Sequence, residues 1–228
     1  MLKPLIRKLK RLLDPYLAKY IDTFIWRYRH YIRADWEEGY LDPESLSHPH
    51  RSLIADLVGS TLGIKTILEF GTGSGINLVH LSSHYPEIKY FGIDINRRAI
   101  LNGIDYINNN NLYNIRLSVG DATAIKEMGS STVDYILTDA VLMYIDPDSL
   151  LELLPEMLRV CKVGIILCEQ CSAGSVYSDH WRHDYQAIFG ALAGVKSISL
   201  KKIDEEHWSG DWTKYGYLIE IKKSQVKN

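Results

Sequence analysis

The sequence predicts an α/β fold: a Rossmann-like, doubly wound and mostly parallel sheet of seven strands, with an antiparallel last strand and a helical extension at the N-terminus. Apolar strand-like runs alternate with helix-like runs from about residue 65 onwards, which is typical of a parallel sheet covered by helices on both faces. The last two strand-like runs are separated only by IDEEHWSGDWTK, which we interpret as a loop without a helix. These two strands should therefore pair antiparallel.

The N-terminal extension should be helical. Over the first 24 residues, apolar side chains recur in steps of three and four, which places them on one face of a helix. Asp14 and Pro15 form a good pair of N-cap and first-turn residues. We therefore expect two helices that meet at this point rather than one straight rod.

The sequence predicts two parts of unequal size, an extension with a loop over residues 1–48 and one α/β domain over residues 49–228. A stretch rich in turn formers, residues 34–50, looks like a loop, and a helix should begin near Pro49 and end near Gly59. Strands are predicted at residues 65–70, 89–94, 115–120, 133–139, 164–169, 195–202 and 215–222. Helices at 75–84, 97–109 and 148–161 should connect the first five strands.

The composition is that of an ordinary globular protein with one hydrophobic core. Of 228 residues, 46% are hydrophobic and 24% are charged, which predicts neither disorder nor a membrane-embedded body. No apolar run approaches the roughly 20 residues that span a bilayer, and the N-terminus lacks the features of a secretory signal. Three cysteines are too few for a disulfide framework. A cytoplasmic location is the simplest prediction.

Charge is unevenly distributed along the chain. Residues 1–33 contain nine Lys or Arg against two Asp, which leaves 17 basic and 26 acidic residues for the remainder. A basic helix with an apolar face suits an anionic membrane interface, so residues 1–25 could make peripheral contact with the inner membrane. The same face could instead pack on the body of the protein or on a second copy, forming a homodimer.

Acidic residues stand at the ends of the predicted parallel strands, where ligands bind in such sheets. They are Glu69, Asp94, Asp121, Asp139 and Glu169. A glycine loop follows the first strand, but a dinucleotide site would have glycine where Ile76 stands, and no Walker loop is found. A ligand with adenine, ribose and a cationic end remains. S-adenosylmethionine fits this description because it has no phosphate and carries both a sulfonium and an ammonium group.

Three segments carry a family resemblance: LEFGTGSG, FGIDIN and VGDAT. With them, residues 50–222 resemble the class I S-adenosylmethionine-dependent methyltransferases. The resemblance implies that Glu69 and the glycine loop hold the methionine part, that Asp94 binds the ribose hydroxyls, and that Asp121 with its neighbour reads the adenine. The full set of predicted cofactor-binding residues is Glu69, Gly71, Thr72, Gly73, Gly75, Asp94, Ile95, Asp121, Ala122 and Asp139.

The acceptor side is predicted from two segments that follow the fourth and fifth strands. Asp139, at a strand end, should face the methyl group, and the segment SDHWRHDY should open a helix. A hydroxyl acceptor needs a base, and histidine is the commonest choice. We therefore predict His180 or His183 as the base, with Asp139 as a further catalytic residue. The predicted substrate-binding residues are Tyr144, Arg182 and Tyr185, with Arg182 as the anchor for an acidic group. A solvated helix start is the alternative interpretation of this segment.

The predicted function is O-methylation of a small molecule or of a sugar or glycan precursor. The segments VDYILTDAVLMYIDPDSLLELLPEMLRV and DWTKYGYLIEI are loosely similar to methyltransferases of bacterial surface-sugar pathways. The alternatives are an RNA or protein methyltransferase and a methyltransferase-like binding subunit without catalysis. Nucleic acid is not the expected partner. No metal is expected either, because His80 and His84 have metal-ligand spacing without an evident third ligand.

Overall fold

The computed structural model describes residues 20–21, 23–28 and 41–224. Residues 20, 21 and 23–28 are helical. The predicted meeting of two helices at Asp14 and Pro15 lies outside the described residues. Among the helices that are described, none combines the length and apolar character needed to cross a bilayer.

The centre of the molecule is the predicted seven-stranded sheet. Its strands are β1 (Thr66–Phe70), β2 (Lys89–Asp94), β3 (Ile115–Val119), β4 (Val133–Asp139), β5 (Cys161–Gln170), β8 (Val195–Lys202) and β9 (Gly216–Lys223). Their order across the sheet is β3-β2-β1-β4-β5-β9-β8. β1 to β5 are parallel, and β9 runs antiparallel to both of its neighbours. The predicted fold class is therefore confirmed, and the strand order reverses between β1 and β4, where a ligand crevice is expected.

Seven helices are described within residues 41–224. They are α1 (Pro43–Leu46), α2 (His50–Ser60), α3 (Ile76–His84), α4 (Arg97–Asn109), α5 (Pro147–Val160), α6 (Tyr185–Gly190) and α7 (Asp211–Tyr215). Two 3₁₀ turns, Ala122–Glu127 and Leu142–Tyr144, complete the connections. α4 starts where the Asn96 side chain accepts hydrogen bonds from two backbone N–H groups, and the Asp146 side chain caps α5 by accepting one from the Ser149 N–H.

The connection between the last two strands differs from the prediction of a helix-free loop. It contains α7, a helix of five residues. Gly210 has a φ of 71° just before this helix, and Gly216 packs so closely on Trp212 that a Cβ would lie 2.5 Å from the Trp212 carbonyl oxygen. The helix is short enough for β8 and β9 to remain an antiparallel pair.

The hydrophobic core forms two layers, one on each face of the sheet. Ile67 and Leu137 belong to the layer that also contains side chains of α2 and α3. Their sequence neighbours Leu68 and Ile136 belong to the layer that contains side chains of α5 and α6. Because successive strand residues point to opposite faces, this division accounts for the almost unbroken apolar runs of β1 and β4. Both strands are thereby fixed at the centre of the sheet.

The segment after β5 also differs from the prediction. It forms a two-stranded ribbon, β6 (Val176–Tyr177) and β7 (Trp181–Arg182), before α6 begins. His180 lies in the turn of this ribbon, so the prediction that it opens a helix is wrong. α6 begins later because the carboxylate of Asp184 accepts a hydrogen bond from the Ala187 N–H and acts as its N-cap.

Candidate active site

The glycine loop connects β1 to α3 through left-handed backbone conformations. The φ angles are 69° at Gly71, 58° at Gly73 and 79° at Gly75. A Cβ on Gly71 would lie 2.2 Å from a methyl group of Val141, so the backbone conformation and the close approach both require glycine there. The alternation of glycines seen in the sequence thus reflects a sharp turn at the carboxyl edge of the sheet.

Asp94 ends β2 and fastens the glycine loop to it. One of its carboxylate oxygens accepts a hydrogen bond from the Gly73 N–H at 2.8 Å, and the other accepts one from the Asn96 N–H at 2.7 Å. Burial raises the pKa of Asp94, and these two bonds partly oppose that effect. The carboxylate is fixed in orientation, and each oxygen keeps a lone pair for a further donor such as a ribose hydroxyl.

Asp121 follows β3 and caps the 3₁₀ turn that starts at Ala122. One oxygen accepts hydrogen bonds from the Thr123 hydroxyl and from the Thr123 N–H, and these bonds lower the pKa of Asp121. The other oxygen lies 3.9 Å from a guanidinium nitrogen of Arg27. The N-terminal helical residues therefore reach the same edge of the sheet as the strand-end acids.

Glu69 is the second-last residue of β1 and is fully buried. Thr72 and Asn77 each donate a side-chain hydrogen bond to its carboxylate, the second at 2.6 Å. Burial nevertheless raises the pKa of Glu69 to about 7, and the nearby carboxylate of Asp139 adds to this rise. Glu69 is therefore poised to change its charge near neutral pH.

Asp139 ends β4 and is the most heavily paired acid of the site. Its Oδ2 atom lies 2.9 Å from His50 Nε2, accepts a hydrogen bond from Asn77 at 3.0 Å, and lies 3.7 Å from Arg51 Nη1. Burial alone would raise its pKa, but these partners outweigh burial and lower the pKa of Asp139 to about 2. Its Oδ1 atom is buried and accepts no hydrogen bond from an N–H or O–H group of the described residues.

His48, His50 and Arg51 form a part of the site that the sequence analysis missed. His50 begins α2 and is buried, with its Nδ1 atom 2.6 Å from Nδ1 of His48. Arg51 donates hydrogen bonds to the Ser45 carbonyl at 2.9 Å and to the Asn77 side chain. Trp208 packs on the His50 ring at 4.1 Å between centroids. In the sequence these three basic side chains lie in the segment HPHR, where they flank a proline. The contact of His50 and Arg51 with Asp139 depends on the tertiary fold and could not be read from the sequence.

One cavity of about 600 Å³ lies along the carboxyl edge of β1, β2 and β4. All of the predicted cofactor-binding residues except Gly75 line this cavity, and so do Tyr144, His48 and Trp208. Gly75 instead caps the start of α3. The strand order places the ends of β2 and β3, with Asp94 and Asp121, on one side of β1 and the end of β4 on the other. His48 and Trp208 contact His50, which is bonded to Asp139 at the end of β4, so they line the β4 side of the cavity.

The predicted bases do not line the cavity. His180 is bonded at both ring nitrogens, to Asp179 at 3.0 Å and to the Gln170 side chain at 3.0 Å. His183 is fully buried, and its Nε2–H donates to the carbonyl oxygens of Leu142 and Ile145. These contacts hold His183 against the 3₁₀ turn after β4, so its observed role is to support that turn.

Two of the three predicted substrate-binding residues also lie away from the cavity. Tyr185 is buried in the core layer of α5 and α6, and the Arg182 guanidinium lies 4.0 Å from the centre of the Tyr215 ring. Of the three predicted substrate-binding residues, Tyr144 alone lines the cavity. The ribbon of β6 and β7 directs the side chains of SDHWRHDY elsewhere because its turn replaces the predicted helix.

Glu169, the acid at the end of β5, supports the loop that faces the glycines. Its Oε1 atom accepts hydrogen bonds from the N–H groups of Val141 and Leu142 at 3.0 Å and from the Thr138 hydroxyl at 2.9 Å. Burial raises the pKa of Glu169 to about 7, although these hydrogen bonds oppose it. Glu169 thereby holds Val141 against Gly71 without lining the cavity.

The donor set of the cavity fits S-adenosylmethionine. Asp139 Oδ1, buried and without an N–H or O–H donor in the described part of the chain, suits the ammonium of the methionine part. Asp94 offers acceptor lone pairs to ribose hydroxyls, and the glycine loop leaves its backbone open to close approach. Residues 41–224 contain no cluster of three or more His, Cys, Asp or Glu side chains that could hold a metal ion.

Residues 67–164 match a family model described as a methyltransferase domain. Over these residues the chain is similar to methyltransferase domains. The match confirms the predicted enzyme class. It also supports S-adenosylmethionine, the cofactor that was predicted together with that class. The matched residues begin in β1 and end in β5, so they include every predicted cofactor-binding residue.

Proteins with solved structures share the fold at low sequence identity. A SAM-dependent methyltransferase from Aquifex aeolicus is 19% identical with a TM-score of 0.58, over 82% of this chain and 97% of that one. An O-methyltransferase family protein from Burkholderia thailandensis is 13% identical with a TM-score of 0.66, over 89% of this chain and 64% of that one.

A relative was also found by sequence. An uncharacterized protein of Rickettsia prowazekii, RP028, is 28% identical over 145 residues, which are 59% of this chain and 57% of that protein.

Proposed function

We propose that this methyltransferase transfers a methyl group from S-adenosylmethionine to a hydroxyl group of a small molecule. The observation that carries the proposal is that one cavity is lined both by four of the strand-end acids and by the His48 imidazole. An oxygen nucleophile must lose its proton as it reacts, and an imidazole is well suited to accept a proton near neutral pH. The O-methyltransferase family protein from Burkholderia thailandensis, which shares the fold, is consistent with this chemistry.

The cofactor part of the proposal assigns a role to each of the four strand-end acids that line the cavity. Asp139 and Glu69 would hold the cationic methionine end, Asp94 the ribose hydroxyls, and Asp121 with the Ala122 backbone the adenine. When bound, S-adenosylmethionine supplies a methyl group on a positively charged sulfur. The protein contributes mainly by holding the acceptor oxygen in line with that methyl group, and positioning of this kind can contribute roughly 7 to 11 kcal/mol.

The size and walls of the cavity favour a small acceptor over a polymer. A volume of about 600 Å³ is within the range of small-molecule sites, and it must hold the cofactor as well. Apolar side chains, among them Leu142, Ile145 and Met157, line it together with Tyr144. The Trp208 ring is stacked on Trp212 at 3.9 Å and also packs on His50, so it presents mainly an edge to a ligand. An acceptor with an apolar or aromatic part fits these walls.

The narrower predictions remain part of the proposal. A sugar or glycan precursor is the predicted acceptor class, and peripheral membrane contact through residues 1–25 would suit a lipid-linked form of it. The division at residue 48 into an extension and a methyltransferase domain, the homodimer and the cytoplasmic location likewise remain predictions.

The test is transfer of a labelled methyl group from S-adenosylmethionine to a panel of acceptors. The panel contains phenols and other small hydroxylated rings, nucleotide sugars, lipid-linked glycans, RNA and a protein mixture. We expect alkali-stable label on one of the small-molecule classes and none on RNA or protein. Label on RNA or protein alone would contradict the proposed acceptor class. Binding of S-adenosylmethionine without transfer to any member would favour the non-catalytic alternative.

A further inference from the structure

We propose that His48 is the general base for the acceptor hydroxyl, and that His50 and Asp139 are positioning residues that set its tautomer and accept its charge. This inference rests on the proposed O-methyl transfer, which it deepens by naming the group that receives the proton. It also replaces the predicted bases, because neither His180 nor His183 lines the cavity.

Three side chains form a continuous hydrogen-bonded row that ends in the cavity. Asp139 Oδ2 lies 2.9 Å from His50 Nε2, and His50 Nδ1 lies 2.6 Å from His48 Nδ1. Both rings line the cavity, but His50 is buried and bonded at both ring nitrogens, whereas His48 is partly exposed. No described residue makes a hydrogen bond to His48 Nε2. Of the two imidazoles, only His48 is thus available to an acceptor.

The row determines which ring nitrogens carry protons. Asp139 is ionised at neutral pH and can only accept hydrogen bonds, so His50 must hold its proton on Nε2, facing the carboxylate. A neutral His50 then offers a bare Nδ1 to its neighbour. Since one proton must lie between the two Nδ1 atoms, His48 supplies it, and the Nε2 atom of a neutral His48 is left without a proton. That bare nitrogen is the basic atom required for catalysis.

The proton transfers balance within these three groups. In the proposed transfer the acceptor O–H bond breaks, and its electron pair bonds the methyl carbon as the methyl–sulfur bond breaks and its electron pair returns to the sulfur. The released proton forms a new N–H bond at His48 Nε2. His48 can then pass its Nδ1 proton to His50 Nδ1. The positive charge thereby moves to His50, where the Asp139 carboxylate lies 2.9 Å away and stabilises it.

The surrounding charges favour a neutral His48 before the reaction. Burial lowers the pKa of His48, and the nearby His50 and Arg51 lower it further, while Asp139 opposes them. Arg51 Nη1 also lies 3.3 Å from His50 Nε2 but donates to the Asn77 side chain. Glu69 is connected to Asp139 through Asn77. The net effect is an unprotonated base at neutral pH.

The test reads the tautomers directly and needs no acceptor. The full chain with ¹⁵N-labelled histidine is studied by long-range ¹H–¹⁵N NMR at pH 7.5, with S-adenosylhomocysteine present, and assigned with the His48→Gln variant. We expect His48 to be protonated at Nδ1 and bare at Nε2, and His50 to be protonated at Nε2. In His50→Phe the Nδ1 preference of His48 should be lost. A wild-type His48 that is protonated at Nε2 and bare at Nδ1 would overturn the proposal.

Turnover with an acceptor from the panel provides the second measurement. His48→Ala should lower turnover by about 10²- to 10⁴-fold, with affinity for S-adenosylhomocysteine within twofold of wild type. Wild-type turnover should rise tenfold per pH unit below the pKa of His48 and then level off, and the variant should lack this slope. His84→Ala, an exposed histidine of α3, is the matched control and should behave as wild type. Unchanged turnover in His48→Ala overturns the base assignment, whereas a panel without any accepted molecule contradicts only the proposed function.

Discussion

The two ends of the cavity are built in different ways. At the cofactor end, the groups lie in short motifs at the ends of adjacent strands: Asp94 is held by nearby Asn96 and by Gly73 of the loop after β1, and Asp121 is held by Thr123. At the acceptor end, His50 and Asp139 are separated by 89 positions and meet only because α2 packs beside β4. The first end is encoded by motifs at the ends of paired strands, and the second is encoded by the packing of a helix against the sheet.

This difference predicts how each end responds to substitution. At the cofactor end, backbone geometry and hydrogen bonds should dominate, so single changes there should abolish or weaken cofactor binding. At the acceptor end, changes at His48 or His50 should alter turnover while cofactor binding persists, whereas Asp139 touches both ends. The predictions below test the cofactor end and the junction between the two ends, in order of decreasing expected effect.

The largest effect is expected from Gly71→Ala. Its φ of 69° costs a residue with a Cβ about 1–2 kcal/mol, and the collision with Val141 adds about 1–3 kcal/mol. We expect the free energy of unfolding in urea to fall by about 2–5 kcal/mol and S-adenosylhomocysteine binding to disappear in calorimetry. The control is Gly174→Ala, which has a φ of 70° but no atom within 4 Å of its Cβ. Equal losses of stability in the two variants would show that Val141 does not restrict this position.

The next effect is expected from Asp94→Ala, which removes both loop bonds and the proposed ribose contact. Hydrogen bonds to a charged group contribute about 1.5–3 kcal/mol, so affinity for S-adenosylhomocysteine should fall about 10- to 150-fold. Asp105→Ala is the control, because Asp105 is an exposed acid on α4. Calorimetry that finds wild-type affinity in Asp94→Ala would remove the ribose assignment.

The same contrast explains which features the sequence could predict. The strands, the parallel order and the strand-end acids follow from apolar runs and from residues adjacent in the chain, and all of them appear in the structure. The position of His180 could not be predicted, because a three-residue turn and the N-cap at Asp184 displaced the expected helix. His48 and His50 lie in a segment interpreted only as a loop and helix start. No spacing rule connects that segment to β4.

The smallest expected effect is that of the charge of Glu69 on cofactor affinity. Asn77 donates hydrogen bonds to both Glu69 and Asp139 and thereby connects the two ends of the cavity. Burial raises the pKa of Glu69 to about 7, so below pH 7 the free protein holds a proton there. A cationic ligand favours the ionised form and must displace that proton. Affinity for S-adenosylmethionine should therefore weaken as pH falls below 7, by at most about tenfold per pH unit, and should be constant above it.

Comparing two ligands isolates this charge effect. S-adenosylhomocysteine lacks the sulfonium charge, so its affinity should depend less on pH than that of S-adenosylmethionine over pH 6 to 8. Calorimetry in two buffers of different ionisation enthalpy should detect proton release at pH 6 for the wild type and less release for Glu69→Gln. Asp139 cannot mimic this result, because its pKa of about 2 keeps it ionised throughout this range. Equal affinities at pH 6 and pH 8 for both ligands would mean that the charge of Glu69 does not affect binding of the cationic end of the cofactor. Asp139 would then be the only one of these two carboxylates that binds that end.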